Sequence, residues 1–123
     1  NGVDMAYLYH ITDQAGWQDA LGKGEYKPAG FDNEGFIHFS TFTQVADTAR
    51  RYYAGKAGLI VLEVHDRNVQ DCLRFEAAPT GELFPHVYRT LPITFVQAVY
   101  PLILMPDGSF SFPVPPERLE RGN

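Results

Sequence analysis

The sequence predicts a domain of the α+β class, because its elements do not alternate as regularly as those of a doubly wound α/β fold. Their order is strand, helix, loop, strand, helix and then mostly strands. The chain has 123 residues, 45% of them hydrophobic, which suits one domain with its own core. A dinucleotide-binding glycine fingerprint is absent, and Gly22-Lys23-Gly24 lacks the preceding strand and the Ser or Thr of a phosphate-binding loop.

The chain begins with a strand followed by a helix. Residues 7–11 are aromatic and β-branched, and their alternation places His10 on the face opposite the two tyrosines. Thr12 or Asp13 can then cap a helix through its side-chain oxygen. We therefore predict a short helix that runs to Leu21 and is ended by glycines.

A loop, a second strand and a second helix come next. Residues 26–35 contain proline, glycine, aspartate and asparagine at a density typical of an ordered surface loop. Residues 35–40 alternate as a short strand should. Thr41 and Gln44 have the spacing of a capping box, which predicts a helix over 41–53.

The second half of the chain is predicted to form mainly strands. Pro101 has no backbone N–H, so its strand is expected at a sheet edge or at a bulge. Asp107-Gly108 is a turn signal and predicts a hairpin. The predicted strands cover 59–64, 73–76, 98–104 and 109–112, and a Pro-rich stretch over 113–116 leads into a polar tail.

The composition and net charge limit the binding partners and the cellular compartment that we expect for this protein. A net charge of −5 argues against an extended nucleic-acid surface, which needs clustered Lys and Arg. No apolar run reaches the roughly 20 residues of a membrane span, and no signal peptide is visible. The single cysteine, Cys72, is expected to be a partly buried filler in a reducing compartment. We expect one cytoplasmic domain over 5–119, with residues 1–4 a remnant of expression.

Three of the four histidines lie in aromatic or apolar local sequence, and they are the predicted catalytic groups. His10 ends the first strand, His38 lies in the second, and His86 follows a proline. Burying three imidazoles without a use would require three sets of hydrogen-bond partners. The alternative, that each is hydrogen-bonded in or beside the core, stays open. His65, at the charged end of its strand, is predicted to be solvated.

Other chemistries find little support in the spacing. A zinc site is not predicted, because no two histidines are separated by two or four residues. Glu63, Glu76 and Glu82 have no reason in the sequence to converge as paired catalytic carboxylates. Ser40 lacks the strained turn and the third group that a nucleophilic serine requires.

The segment after His86 indicates an anionic or planar ligand. Arg89 beside an imidazole and the Tyr88 phenol would be a forked donor to a phosphate or carboxylate. Tyrosines elsewhere would stack on a planar ring, although aromatic residues in strands and on helix faces are more often core. These tyrosines are Tyr7, Tyr9, Tyr52 and Tyr53.

The chain resembles a bacterial family known as domain of unknown function 952. Several separated motifs appear in the expected order and cover nearly the whole domain. They are Tyr9-His10-Ile11-Thr12, Trp17, the loop over 26–35, Gly35-Phe36-Ile37-His38-Phe39-Ser40, the helix over 46–53 and Phe84-Pro85-His86-Val87-Tyr88. The family lacks an established activity, so this resemblance predicts a fold more than a function.

That family is in turn similar to the ADP-ribosyltransferase fold, in which NAD lies in a cleft between two small antiparallel sheets. Tyr9-His10-Ile11-Thr12 resembles the segment whose histidine holds the nicotinamide ribose. His38 with Ser40 resembles the His-x-Ser strand of the RNA 2′-phosphotransferase branch. The resemblance implies small antiparallel sheets that form a split cleft with two short helices.

The implied function is that of a small enzyme that binds NAD or a related phosphorylated nucleotide. His10 would hold a ribose hydroxyl, His38 would contact the ring or a phosphate, and His86 would bind an anionic group with an arginine. The implied cofactor-binding residues are His10, Thr12, His38, Ser40, Tyr88 and Arg89.

Two departures keep open the alternative of a non-catalytic binding or interaction domain with a degenerate pocket. Ile11 stands where the transferases keep a glycine that lets backbone approach the nicotinamide. No glutamate is clearly placed in the third motif.

Overall fold

The computed structural model describes residues 6–113, which form small antiparallel sheets with a few helices, so the predicted α+β class is confirmed. The strands are β1 (Tyr7–Asp13), β2 (Glu25–Tyr26), β3 (Ile37–His38), β4 (Leu59–His65), β5 (Leu73–Ala77), β6 (Leu83–Val87), β7 (Leu91–Pro92), β8 (Val96–Leu104) and β9 (Phe110–Ser111). The helices are α1 (Gln14–Lys23), α2 (Phe31–Glu34) and α3 (Val45–Tyr52). No helix in this part of the chain is long and apolar enough to cross a membrane.

Two sheets and one short strand pair carry the described residues. The first sheet has the order β1-β4-β8-β9, the second has the order β3-β6-β5, and β2 pairs with β7. The first and second sheets are joined at one corner, where Tyr9 and Ser40 exchange backbone hydrogen bonds of 2.9 and 2.7 Å. This bridge fixes β1 beside the segment that follows β3.

The first sheet is buried on both faces at β1 and β4. On one face, Leu8 and Leu62 pack with Ala20 of α1. On the other face, Tyr9 and Val61 pack beneath α3. Each fully buried aliphatic side chain contributes about 1.5–3 kcal/mol, so these two layers supply much of the stability. The predicted placement of His10 opposite the tyrosines is confirmed, since it shares its face with Leu8.

The predicted helix starts are confirmed in detail. Asp13 caps α1 by accepting a hydrogen bond of 2.8 Å from the backbone N–H of Gly16. Gly24 ends α1 in the left-handed region, at φ 79°, where a side chain would be strained. Thr41 and Gln44 form the capping box, with 3.0 Å between the Thr41 N–H and the Gln44 Oε1.

The predicted hairpin and edge position are also observed. Gly108 turns the chain from β8 into β9 at φ 89°. β9 pairs with β8 only at Ile103 and Leu104. Pro101 pairs with β4 on one side, and among the described residues no strand pairs with it on the other side, so it lies at an edge of the sheet. Residues 114–116 of the predicted Pro-rich stretch lie outside the described residues.

Two local expectations were wrong. The turn-rich loop over 26–35 contains the one-turn helix α2 and begins within β2. No strand was predicted over 83–87, where β6 is found. Prolines are rare in central strands because they lack a donor, yet β6 lies between β3 and β5. The Pro85 carbonyl accepts from the N–H of Phe39 at 2.9 Å, and this pairing needs no N–H from the proline.

The prediction that His65 is solvated was also wrong. It is the last residue of β4 and is 7% exposed, because the ring of Tyr7 covers it edge-on at 5.2 Å. Its Nδ1 accepts a hydrogen bond of 3.0 Å from the N–H of Arg67. The charged neighbours along the chain therefore did not indicate its surroundings.

Candidate ligand-binding cleft

A cavity of about 1020 Å³ lies between β1 and the second sheet. Small-molecule sites usually occupy about 300–1,000 Å³, so this one has room for a ligand with several rings. Its lining combines rings with hydroxyl groups. These lining residues are His10, Thr12, Tyr26, Phe36, His38, Ser40, Thr48, Tyr52, Tyr53, Phe84 and His86.

The floor of the cleft, which we define as His10, Thr12 and Tyr26, is a chain of hydrogen bonds. Nδ1 of His10 lies 2.6 Å from the carbonyl oxygen of His38, and its Nε2 lies 2.7 Å from the Tyr26 hydroxyl. That hydroxyl is 3.1 Å from Oγ1 of Thr12. A carbonyl only accepts, so Nδ1 carries the hydrogen and Nε2 of the neutral ring accepts from Tyr26. Both ring nitrogens of His10 are thus occupied by protein groups.

Burial sets the charge of this floor. It lowers the pKa of His10 to about 4, against the opposing effect of the hydrogen bond to the His38 carbonyl. It also raises the pKa of Tyr26 to about 12. Desolvation disfavours the charged form of each group, so both side chains are neutral at physiological pH.

The wall of the cleft, which we define as Phe36, His38 and His86, is a cluster of rings. Phe36 stacks on His86 with 4.1 Å between centroids and 15° between planes. His38 meets both rings edge-on, at 4.7 Å from Phe36 and 5.1 Å from His86. Strand pairing explains the contact, since His38 and His86 lie directly opposite each other in β3 and β6.

Each imidazole of the wall has a carboxylate partner. Nε2 of His38 lies 3.2 Å from both oxygens of Glu34, in a pair that is largely exposed. Nδ1 of His86 lies 2.7 Å from Oε1 of Glu76. The same oxygen accepts a hydrogen bond of 2.5 Å from the Tyr88 hydroxyl.

These contacts shift the pKa of both Glu76 and Tyr88. Hydrogen bonds from the Tyr88 hydroxyl and then from His86 lower the pKa of Glu76. The bond to the carboxylate raises the pKa of the Tyr88 phenol. A carboxylate that receives such bonds stays ionised, so Glu76 is an acceptor toward both neighbours at neutral pH.

The structure brings together most of the residues predicted for the site. His10, Thr12, His38, Ser40 and His86 all line the cavity. Ser40 also contacts α3, because its hydroxyl donates to Thr48 at 3.4 Å.

Two of the predicted site residues, Tyr88 and Arg89, are not among the described residues that line the cavity. Tyr88 touches the wall from the side, with its ring 5.1 Å from that of Phe36. The Nε of Arg89 donates to the Thr90 carbonyl at 2.8 Å, and its guanidinium lies over Phe95. An anion shared by Arg89 and His86 stays a prediction.

Sequence reasoning did not single out Tyr26, Glu34 or Glu76 as site residues. Glu34 stands four residues before His38, a spacing that usually matters only within one helix. Here α2 ends at Gly35 and the pair crosses a turn. Glu76 meets His86 because β5 and β6 pair as a hairpin, which the missed strand concealed. Tyr26 gave no signal beyond its place in a turn-rich segment.

A metal site finds no geometric basis in the described residues. Within 6–113, no group of three His, Cys, Asp or Glu side chains is placed to hold a metal ion. Cys72 is a partly buried thiol whose Sγ lies 3.3 Å from the Val69 carbonyl. Burial raises its pKa, as expected for a filler and not for an activated nucleophile.

The fold and the cleft define a class of small α+β proteins with a ring-lined cavity between antiparallel sheets. The chain belongs to the protein family of unknown function DUF952, whose model matches residues 11–99. The predicted resemblance to that family is therefore confirmed.

The chain is similar to protein CC0527 from Caulobacter crescentus. In its crystal structure the identity is 33%, the match covers 86% of this chain and 94% of that chain, and the TM-score is 0.79. In its solution NMR structure the corresponding values are 34%, 84%, 90% and 0.74. No curated protein matches the chain. The likeness to ADP-ribosyltransferases is not shown by these matches and stays a prediction.

Proposed function

We propose that the cleft binds a nucleotide of the NAD or ADP-ribose class and that the protein is a small enzyme acting on it. The observation that carries this proposal is the wall of rings, which offers a stacking surface to a nicotinamide or adenine ring. Hydroxyl groups of Thr12, Ser40 and Tyr26 line the same cavity. They are suited to the hydroxyls of a ribose.

The departure at Ile11 is compatible with this proposal. Ile11 is 6% exposed and packs in the core layer with Tyr9 and Val61. Its side chain therefore lies on the face of β1 opposite that of His10. Ile11 borders the cavity, but its burial leaves little of it to obstruct a ligand on the His10 face. Lys27, which pairs with Asp32 at 2.9 Å, and Lys56 are cationic groups of the lining and suit the phosphates.

The structure suggests a narrower role for His10 than the one the resemblance implies. Both of its ring nitrogens already bind protein groups, so a ribose hydroxyl would have to displace Tyr26 or the His38 carbonyl. We propose that the Tyr26 hydroxyl, held by His10, makes this contact.

A second candidate is a binding domain without catalysis. It is favoured by the carboxylates Glu34 and Glu76, each of which is engaged by an imidazole. ADP-ribosyl transfer passes through an oxocarbenium-like transition state, which an oriented negative group at the sugar carbon would stabilise. A carboxylate that is already paired with an imidazole is less suited to that task.

Isothermal titration calorimetry with NAD and ADP-ribose tests the proposal. We expect both the intact protein and the variant Arg89→Ala to bind, and His38→Ala to bind roughly 10-fold more weakly, about 1.4 kcal/mol. Absence of heat at millimolar nucleotide with intact protein would overturn the proposal. A loss of affinity in Arg89→Ala would restore Arg89 as an anion ligand. Release of nicotinamide from NAD, abolished in His38→Ala, would favour the enzyme over the binding domain.

A further inference from the structure

The tautomer of His86 follows from its neighbours. Glu76 is ionised, and a carboxylate only accepts hydrogen bonds, so the 2.7 Å contact requires the hydrogen of His86 to sit on Nδ1. In the neutral ring the other nitrogen, Nε2, then carries a lone pair. Among residues 6–113, the hydrogen bonds of this ring involve Nδ1 alone.

The ring is also held in place. Phe36 stacks on one of its faces, and the edge of His38 approaches at 5.1 Å. Glu76 is itself fixed, because the Tyr88 hydroxyl binds the same oxygen and the guanidinium of Arg74 lies over the Tyr88 ring at 5.2 Å. The His86 side chain is 13% exposed and lines the cavity.

The other imidazoles of the cleft differ from His86 in bonding or in exposure. His10 has both nitrogens occupied. His38 also faces a carboxylate through one nitrogen, Nε2, and has no hydrogen bond at Nδ1 among residues 6–113, but its side chain is 58% exposed, so water competes for that acceptor. His86 alone among these three combines a partly buried ring, one nitrogen locked by a carboxylate and one nitrogen left as an acceptor.

We propose that Nε2 of His86 is the hydrogen-bond acceptor that the cleft offers to a hydroxyl or amine of its ligand, and that Glu76 is the positioning residue that fixes this tautomer. The identity of that donor as a ribose hydroxyl rests on the proposed function, whereas the tautomer does not. A phosphate is disfavoured at this point, because it would face a lone pair backed by a carboxylate. Lys27 and Lys56 of the lining are better suited to the phosphates.

Heteronuclear NMR of the histidine ring nitrogens in the ligand-free protein tests the tautomer. We expect the Nδ1–H form for His86 in the intact protein and a mixture of both neutral tautomers in Glu76→Ala. Glu76→Gln should restore the Nδ1–H form, because its amide oxygen accepts the same bond. Glu34→Ala, which removes the carboxylate of His38, is the matched control and should leave His86 unchanged. An Nε2–H form, or a doubly protonated ring at neutral pH, in the intact protein would overturn the proposal.

Chemical modification tests the availability of the lone pair without any nucleotide. Diethyl pyrocarbonate acylates an imidazole nitrogen that holds a free lone pair, and mass spectrometry assigns the position. We expect His86 to react and His10 to stay unmodified; an unreactive His86 would overturn the acceptor role.

Added ADP-ribose separates this inference from the proposed function. It should slow the modification of His86, and Glu76→Ala should weaken ADP-ribose binding by roughly 3- to 10-fold. If His86 has the expected tautomer and reactivity but ADP-ribose gives neither heat nor protection, the nucleotide proposal fails and the acceptor stands. If ADP-ribose binds without slowing modification, the contact at Nε2 is overturned and the nucleotide proposal stands.

Discussion

The floor and the wall of the cleft both contain histidine, yet the two regions place it in opposite states. His10 in the floor is buried, neutral and hydrogen-bonded at both nitrogens. His38 and His86 in the wall are each paired with a carboxylate through one nitrogen. The floor therefore joins β1, β2 and β3, whereas the wall has hydrogen-bonding capacity left for a ligand.

Within the cleft, this difference separates a histidine whose two ring nitrogens are both bound by protein groups from two histidines that each have one nitrogen without a hydrogen-bond partner among the described residues. Sequence context treated His10 and His86 alike, since both lie among aromatic and apolar residues. Stability should therefore depend on the hydrogen bonds of His10 in the floor and much less on the rings of the wall.

Removing the imidazole of the floor should have the largest effect. In His10→Ala, the Tyr26 hydroxyl and the His38 carbonyl lose their partner, and a cavity is left between the strands. We expect the free energy of unfolding to fall by about 3–5 kcal/mol, measured by urea denaturation. A loss below about 1 kcal/mol would show that the floor does not join the strands.

Acid should destabilise the protein through the same residue. The pKa of His10 falls from 6.5 in the unfolded chain to about 4 in the folded protein, so the unfolded state binds more protons between these values. Stability is then complete above pH 6.5 and decreases as the pH falls toward 4, by about 3 kcal/mol. The urea midpoint as a function of pH measures this effect.

The matched variant for the acid prediction is His10→Gln, which has no titrating group at this position. Its stability should vary less between pH 6.5 and 4 than that of the intact protein. Curves of equal slope would assign the acid sensitivity to carboxylates such as Glu76, whose pKa is lowered in the fold.

Removing one hydroxyl from the floor should have an intermediate effect. Tyr26→Phe keeps the ring but leaves Nε2 of His10 as a buried acceptor without its donor, which costs about 1–3 kcal/mol. Tyr52→Phe is the control, because the Tyr52 side chain is 67% exposed and its hydroxyl can be solvated. Thermal or urea unfolding should separate the two variants, and equal stabilities would contradict the assigned role of Tyr26.

Removing the exposed imidazole of the wall should have the smallest effect on stability. His38→Ala loses an exposed pair with Glu34, and such pairs contribute little, so the free energy of unfolding should change by no more than about 0.5 kcal/mol. The same variant is expected to bind nucleotide less tightly. A large loss of stability would show that the wall is structural like the floor.

Much of the local structure could be predicted because short-range chemistry decides it. Asp13 caps α1 and Thr41 with Gln44 begins the next helical segment, since a capping side chain bonds backbone within its own turn. The alternation of β1 put His10 on the correct face. The convergence of His10, His38 and His86 on one cavity was suggested by the family resemblance and not by spacing.

Other features could not be predicted because they depend on partners distant in the chain. His65 was expected in water, yet Tyr7 of the neighbouring strand covers it. No strand was predicted around Pro85, yet β6 forms there and uses the proline's carbonyl in place of the missing N–H. In each case the deciding contact crosses between strands, where sequence distance carries no information about spatial distance.

The sequence by itself determined the α+β class, the starts of the main helices and the three histidines that line the cleft, because caps, turns and alternation act over a few residues. Only the tertiary structure decided what each histidine can do. The floor closes around His10 through Tyr26, sixteen positions away in the chain, and the wall orients His86 through Glu76 on the paired strand. Hydrogen-bond saturation is a property of three-dimensional neighbours, and it is what distinguishes the structural role of His10 from the ligand-binding role that we propose for His86.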